Sequence, residues 1–157
     1  MAENLIIPLA GKGKSFLKAN YNTYKPFLKL GAKTIIDNII SKFPSNINKI
    51  FIVRNNINNK YVNKLKKYRN STIVKIKNHH LGPSKTIMLA KKEIINLKNI
   101  YVVYSDIDWH WKNKINKKYD SILCFKGWHP FTKDNNNYAF CKVSKRNFLI
   151  KIREKNS

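Results

Sequence analysis

Acidic residues are scarce in this chain: eight Asp and Glu stand against 32 Lys and Arg, a formal net charge of +24 over 157 residues. That imbalance excludes an acidic, solvating protein and ordinarily points to nucleic acid or another polyanion. Arginine is scarce as well, with four (Arg54, Arg69, Arg146, Arg153) beside 28 lysines. Its planar fork is the side chain that best reads phosphates and base edges, so its rarity argues against specific nucleic-acid binding. Cysteine occurs twice, at Cys124 and Cys141, too few for a disulfide framework or a cysteine metal cluster. Their apolar neighbours predict two small buried hydrophobes. No stretch reaches the roughly 18 apolar residues of a membrane span. The first fourteen residues carry no positive region ahead of their apolar run and pass directly into a glycine turn. That argues against a signal peptide and for a cytoplasmic protein.

Lysine, asparagine and isoleucine are abundant instead, together 71 of the 157 residues. Such a bias is expected when A- and T-rich codons spread through surface and core alike. Because the lysines are dispersed, most of the charge reads as compositional, with loose, salt-sensitive adhesion to polyanions as its consequence. A hydrophobic content of 43% predicts one globular domain with a sizeable core. Apolar runs at 4–9, 49–53, 71–76 and 101–104 predict strands, the last continuous as in a strand buried on both faces. Between them, Ile35, Ile36, Ile39, Ile40 and Phe43 fall at helical spacing behind a capping Thr34, and Tyr61, Leu65 and Tyr68 share one face. A third helix is expected from Pro83 to about Ile95, with the proline in its first turn. This alternation predicts an α/β protein, a mostly parallel sheet with right-handed crossovers and the first strand near its centre. Beyond Asp120 the texture changes to short strand candidates at 121–125, 138–143 and 148–152.

Three features can carry chemistry. The turn Leu9-Ala10-Gly11-Lys12-Gly13-Lys14 follows the first strand, and two glycines one residue apart let backbone N–H groups approach a phosphate. It matches neither the Walker loop nor the dinucleotide fingerprint. Lys25 precedes Pro26, which biases it to extended backbone and so holds its ammonium in one direction. Asp106 and Asp108 follow the fourth strand, a quarter of all the acids in the protein. Carboxylates there can hold Mg²⁺ or Mn²⁺ while substrate phosphates supply other ligands. The glycine turn and the acid pair both sit where open parallel sheets bind ligands, beyond the carboxyl ends of strands. His79 and His80 read as loop histidines, since adjacent residues on a strand face opposite ways. Trp109, Trp111, Trp128, His110 and His129 serve equally well to stack on a base or sugar or to close the core.

In chain order, Pro8-Leu9-Ala10-Gly11-Lys12-Gly13, Lys25-Pro26-Phe27-Leu28, Gly31-Ala32-Lys33-Thr34-Ile35-Ile36 and Gly82-Pro83-Ser84-Lys85 form a series. It continues through Asp106-Ile107-Asp108, His129-Pro130, Tyr138-Ala139-Phe140-Cys141-Lys142-Val143 and Glu154-Lys155. The ordered set resembles the sugar-phosphate nucleotidyltransferase family. The resemblance implies a three-layer, Rossmann-like sandwich of the GT-A or nucleotide-diphospho-sugar transferase type, spanning residues 1–157 as one domain that is incomplete at its C-terminal end. It implies transfer of a nucleotidyl group from an NTP to a sugar phosphate or similar small phosphate, with release of pyrophosphate, as in nucleotide-sugar biosynthesis. Leu9, Ala10, Gly11, Gly13 and Lys14 would then hold the triphosphate, and Gly82 and Pro83 would face the base. Lys25 would neutralise phosphate charge, Asp106 with Asp108 would bind Mg²⁺ or Mn²⁺, and Glu154 with Lys155 would meet the acceptor. Ser15 stands where the family usually has an arginine, with Lys14 and Lys18 close by in sequence. Two other readings fit the same residues. One is a GT-A glycosyltransferase using a nucleotide-sugar donor, which Asp106-Ile107-Asp108 suits. The other is a truncated domain that binds nucleotides without turnover.

Overall fold

A computed structural model describes residues 3–11, 23–105, 109, 118–122, 124 and 139–154 of the chain. They fall into two compact units, Met1–Lys112 and Asn113–Ser157. The first unit is built on four strands: β1 (Asn4–Pro8), β4 (Asn48–Arg54), β5 (Ser71–Ile76) and β6 (Ile100–Val102). Their order across the sheet is β5-β4-β1-β6 and every pairing is parallel. The first strand is therefore central, as expected. Between β1 and β4 lie a 3₁₀ turn (Lys25–Phe27), a hairpin of β2 (Lys29–Leu30) with β3 (Lys33–Thr34), and helix α1 (Ile35–Ile40). The hairpin turns on Gly31, whose φ of 63° is open to glycine at little cost. Helix α2 (Asn59–Lys66) links β4 to β5, and α3 (Gly82–Leu89) with α4 (Lys91–Ile94) links β5 to β6.

Strand alternation divides the core. Leu5, Ile7, Phe51 and Val53 pack with Ile36 and Ile39 of α1 and Val62 and Leu65 of α2. Ile6, Ile50, Ile52, Val74 and Ile76 pack with Ala90 and with Ile94 of α4. Successive strand side chains point to opposite faces, so the two sets define helix layers on either side of one sheet. The result is a three-layer α/β/α sandwich with a Rossmann-like parallel sheet.

Local chemistry fixes the ends of elements. Thr34 and Asp37 form a reciprocal capping box: the Asp37 N–H donates to Thr34 Oγ1 at 3.2 Å and the Thr34 N–H to Asp37 Oδ2 at 3.1 Å. Tyr68 donates its hydroxyl to Asp37 Oδ1 at 2.6 Å, tying the segment after α2 to the start of α1. Burial works against the Asp37 charge, yet the bonds from Thr34 and Tyr68 with the nearby Lys33 outweigh it and hold the carboxyl below its usual range. At the N-terminal end of the sheet, Asn4 Nδ2 donates to the Lys98 carbonyl at 2.7 Å. Beside it, Lys49 is 3% exposed and its ammonium donates to the carbonyls of Ser45, Ile47 and Arg69 at 3.2, 2.8 and 3.0 Å.

Several expectations change. Among the described residues the fourth strand, β6, ends the sheet and pairs with β1 alone, and Ile100 and Val102 are exposed while Tyr101 is half-buried. A continuous apolar run therefore did not mean burial on both faces. The helix expected from Pro83 to Ile95 breaks at Ala90 (φ −93°, ψ 10°), whose side chain is fully buried against the sheet. In the second unit, β7 (Ala139–Val143) and β8 (Leu149–Glu154) form an antiparallel hairpin, close to the strands expected there. Of the candidate strand 121–125, residues 121, 122 and 124 are described and are irregular. Cys124 is exposed and Cys141 half-buried, so neither is the buried hydrophobe its apolar neighbours suggested.

Candidate functional site

The C-terminal ends of the strands open onto a cleft of about 530 Å³. β1 delivers Pro8 and, just beyond it, Leu9, Ala10 and Gly11 to one wall. The Leu9 N–H is spent on the Ile52 carbonyl at 2.7 Å, so the turn starts anchored in the sheet. Among the described residues the N–H groups of Ala10 and Gly11 meet no acceptor, and they are what this turn can offer a ligand. A Cβ at Gly11 would meet open space, as expected at the rim of a cleft.

Lys25 and Pro26 form the neighbouring wall. Sequence predicted an extended Lys25; instead it opens the 3₁₀ turn, and the extended residue is Tyr24 (φ −59°, ψ 126°). Two backbone bonds, from Phe27 N–H to Tyr24 (2.8 Å) and from Leu28 N–H to Lys25 (3.1 Å), overcome the steric bias of the following proline. Tyr24 also lines the cleft, and its hydroxyl donates to the Leu9 carbonyl. Burial pushes its phenol well above the usual tyrosine value, against the opposing pull of the Arg54 guanidinium at the end of β4. The ring lies among Phe27 and Tyr61, and Phe27 stacks on Tyr61 at 5.5 Å.

Opposite stands the start of α3. Gly82 (φ 78°) and Pro83 line the cleft, so the positive end of the helix dipole is directed there. The preceding loop is held by His79: the Leu81 N–H donates to Nδ1 at 3.2 Å, and Nε2 lies 3.0 Å from Thr86 Oγ1. The Thr86 hydroxyl donates to the Gly82 carbonyl at 3.2 Å, which leaves Nε2 as the protonated, donating nitrogen. His79 is thus a loop histidine that shapes the cleft wall, with His80 beside it. Tyr104 and Ser105, following β6, also line the cleft, and all the described lining residues belong to the first unit.

Of the residues singled out from sequence, Leu9, Ala10, Gly11, Lys25, Gly82 and Pro83 share this one cleft, although 73 positions separate the first from the last but one. Gly13, Lys14, Asp106, Asp108 and Lys155 lie outside the described residues, as do Trp111, Trp128, His110 and His129. Glu154 ends β8 in the second unit. Trp109 packs on the core, its ring 6.2 Å from Phe43 and under the Lys42 ammonium at 5.2 Å. Among the described residues no group of three His, Cys, Asp or Glu side chains converges as a metal site. Sequence reasoning missed Tyr24, Thr86 and Ser105. Nothing local marks Tyr24, whose partner is a backbone carbonyl fifteen residues away.

The parallel order β5-β4-β1-β6 with a cleft at its carboxyl edge defines a Rossmann-like α/β fold, and solved structures share it. The chain is similar to a nucleoside-diphosphate-sugar pyrophosphorylase from Vibrio cholerae RC9, at 18% identity and a TM-score of 0.64, over 97% of this chain and 67% of that one. It is also similar to a UDP-glucose pyrophosphorylase solved with UDP-glucose, at 20% identity and a TM-score of 0.50, over 68% of this chain and 46% of that one. The chain thus spans about two thirds of the first structure and less than half of the second. The likeness is one of fold: the chain folds as these two pyrophosphorylase structures do over the parts they share. No protein-family model and no curated protein sequence matches it.

Proposed function

We propose that the chain is a nucleotide-binding domain whose cleft holds a nucleoside triphosphate or nucleotide-sugar, with binding as its primary activity. The observation that carries this reading is the convergence on one cleft of Ala10 and Gly11, whose backbone N–H groups meet no acceptor among the described residues, the Lys25 turn and the N-terminal end of α3. All three are electropositive groups suited to phosphate oxygens. Titration calorimetry with ATP, GTP, CTP, UTP and UDP-glucose, each with Mg²⁺, tests the reading. Saturable binding of at least one is expected, and binding of none overturns it.

Nucleotidyl transfer to a small phosphate is the second reading. It is favoured by the position of Asp106 and Asp108 in the chain, directly after Tyr104 and Ser105 of the cleft wall. In that reading these acids would hold Mg²⁺ or Mn²⁺, which supplies charge neutralisation on the phosphates. Lys25 would bind phosphate, and Glu154 with Lys155 would meet the acceptor. Pyrophosphate release from an NTP in the presence of sugar phosphates separates the two: release that is lost in Asp106→Ala supports transfer, and its absence alongside tight binding supports a domain without turnover.

A further inference from the structure

We propose that Tyr24 is a positioning residue of the nucleotide site, clamping the Lys25 turn to the end of β1 so that the lysine and the Ala10–Gly11 N–H groups meet one phosphate chain together. The inference rests on the nucleotide-binding reading above and adds a residue and a coupling to it.

The geometry is specific. Leu9 and Lys25 belong to different walls of the cleft, and Tyr24 bridges them: its backbone leads directly into Lys25, while its hydroxyl donates to the Leu9 carbonyl. The Leu9 N–H is already committed to Ile52, so both backbone polar groups of Leu9 are satisfied, and Ala10 and Gly11, whose N–H groups meet no acceptor among the described residues, line the cleft directly after it. From behind, Tyr61 of α2 accepts the Tyr24 N–H at 3.1 Å through its own hydroxyl. The Tyr61 ring lies 5.2 Å from that of Tyr24, so the clamp is fixed to a helix as well as to the sheet. A buried phenol whose pKa is pushed upward remains protonated, and hence a donor, throughout the neutral and mildly alkaline range. Phenylalanine in this place would fill the same space among Phe27 and Tyr61 and lack only the tether.

The prediction is therefore one of coupling. Without the tether, Lys25 must be ordered at the moment the ligand binds, and affinity falls although no ligand contact has been removed. Tyr24→Phe should weaken binding of the tightest-bound Mg²⁺–NTP by about fivefold, the equivalent of one hydrogen bond of about 1 kcal/mol. In a Lys25→Ala background the same change should cost less than about twofold, since there is no lysine left to position. Tyr61→Phe, which removes the acceptor of the Tyr24 N–H, should reproduce a smaller loss with the same dependence on Lys25. Losses that add fully in the double variant would show a general structural role and overturn the proposal.

A second measurement needs no ligand. Hydrogen exchange on the free protein should quicken in residues 24–28 of Tyr24→Phe while β4 keeps its protection; unchanged exchange in that segment overturns the clamp. If the parent protein binds no nucleotide while the exchange result holds, the nucleotide-binding reading falls and the tether between the two walls stands. Should Tyr24→Phe fail to fold, Tyr61→Phe in the same two measurements decides the matter.

Discussion

The two ends of the parallel sheet use polar residues in opposite ways. At the N-terminal end, Asn4, Asn48 and Lys49 spend their side chains on one another and on backbone carbonyls, and the Lys49 ammonium reaches three. At the C-terminal end, Ala10 and Gly11, whose N–H groups meet no acceptor among the described residues, line a cleft with Lys25 in its wall. A lysine in the first setting is part of the fold, because removing it takes the donor from the buried Ile47 carbonyl and from the part-buried carbonyls of Ser45 and Arg69. One in the second setting can change with little effect on the fold, because the turn beneath it is held by backbone bonds and by Tyr24. The difference teaches that in a chain with 28 lysines, surroundings rather than residue type distinguish structure from function.

The comparison is broken most forcefully from the N-terminal end. Lys49→Met should lower unfolding free energy by about 2 kcal/mol, since a buried carbonyl left without a donor costs about 1–3 kcal/mol and the Ile47 carbonyl is the buried one of the three. Nucleotide affinity of the folded variant should be unchanged; chemical denaturation and calorimetry read the two. Lys25→Ala should do the reverse. A tenfold loss of nucleotide affinity, about 1.4 kcal/mol, is expected with a midpoint of unfolding within error of the parent. A large stability loss in Lys25→Ala would erase the distinction between the ends.

Smaller effects sharpen it. Tyr68→Phe removes one of the bonds that keep Asp37 ionised and should cost about 1 kcal/mol at neutral pH. The folded-state pKa of Asp37 lies below its ordinary value, so its contribution is present above the unfolded carboxylate range and disappears as pH falls through the lowered value. The parent and Tyr68→Phe should therefore converge in acid, in denaturation curves measured from pH 7 downward. The smallest expected effect concerns Lys49, where burial first, and then the Arg69 charge, lowers the ammonium pKa. The unfolded chain then binds more protons than the folded one just below the ordinary lysine range, so stability rises with pH there. That increment should be missing from Lys49→Met.

Much of this architecture was legible in the residues. Leu5-Ile6-Ile7 and Phe51-Ile52-Val53 are apolar on both faces, as central parallel strands require, and the isoleucines of α1 behind Thr34 repeat at helical spacing. The place of Gly11 followed from the rule that ligands lie at the carboxyl ends of such sheets, and the family resemblance added Lys25 and Gly82 to it. What could not be read depends on contacts between distant positions. Tyr101-Val102-Val103 has the same composition whether its strand is central or at the edge. Lys49 is one lysine among many until the carbonyls around it are seen. The tether from Tyr24 joins an unremarkable tyrosine to a peptide group that no side-chain pattern reports.

The central place of β1 also bears on how the chain acquires its fold. β1, made before both its neighbours, must wait for β4, beginning at Asn48, to cover one flank, and for β6, beginning at Ile100, to cover the other. Asn4 bonds to Lys98, 94 residues away. Closing loops of that length precedes any reward from the pairing, so this topology folds slowly for its size. Until residue 102 is available, a fully apolar Leu5-Ile6-Ile7 segment has at least one open edge, and its protection in that interval falls to chaperones or to transient pairing with whatever strand has already emerged.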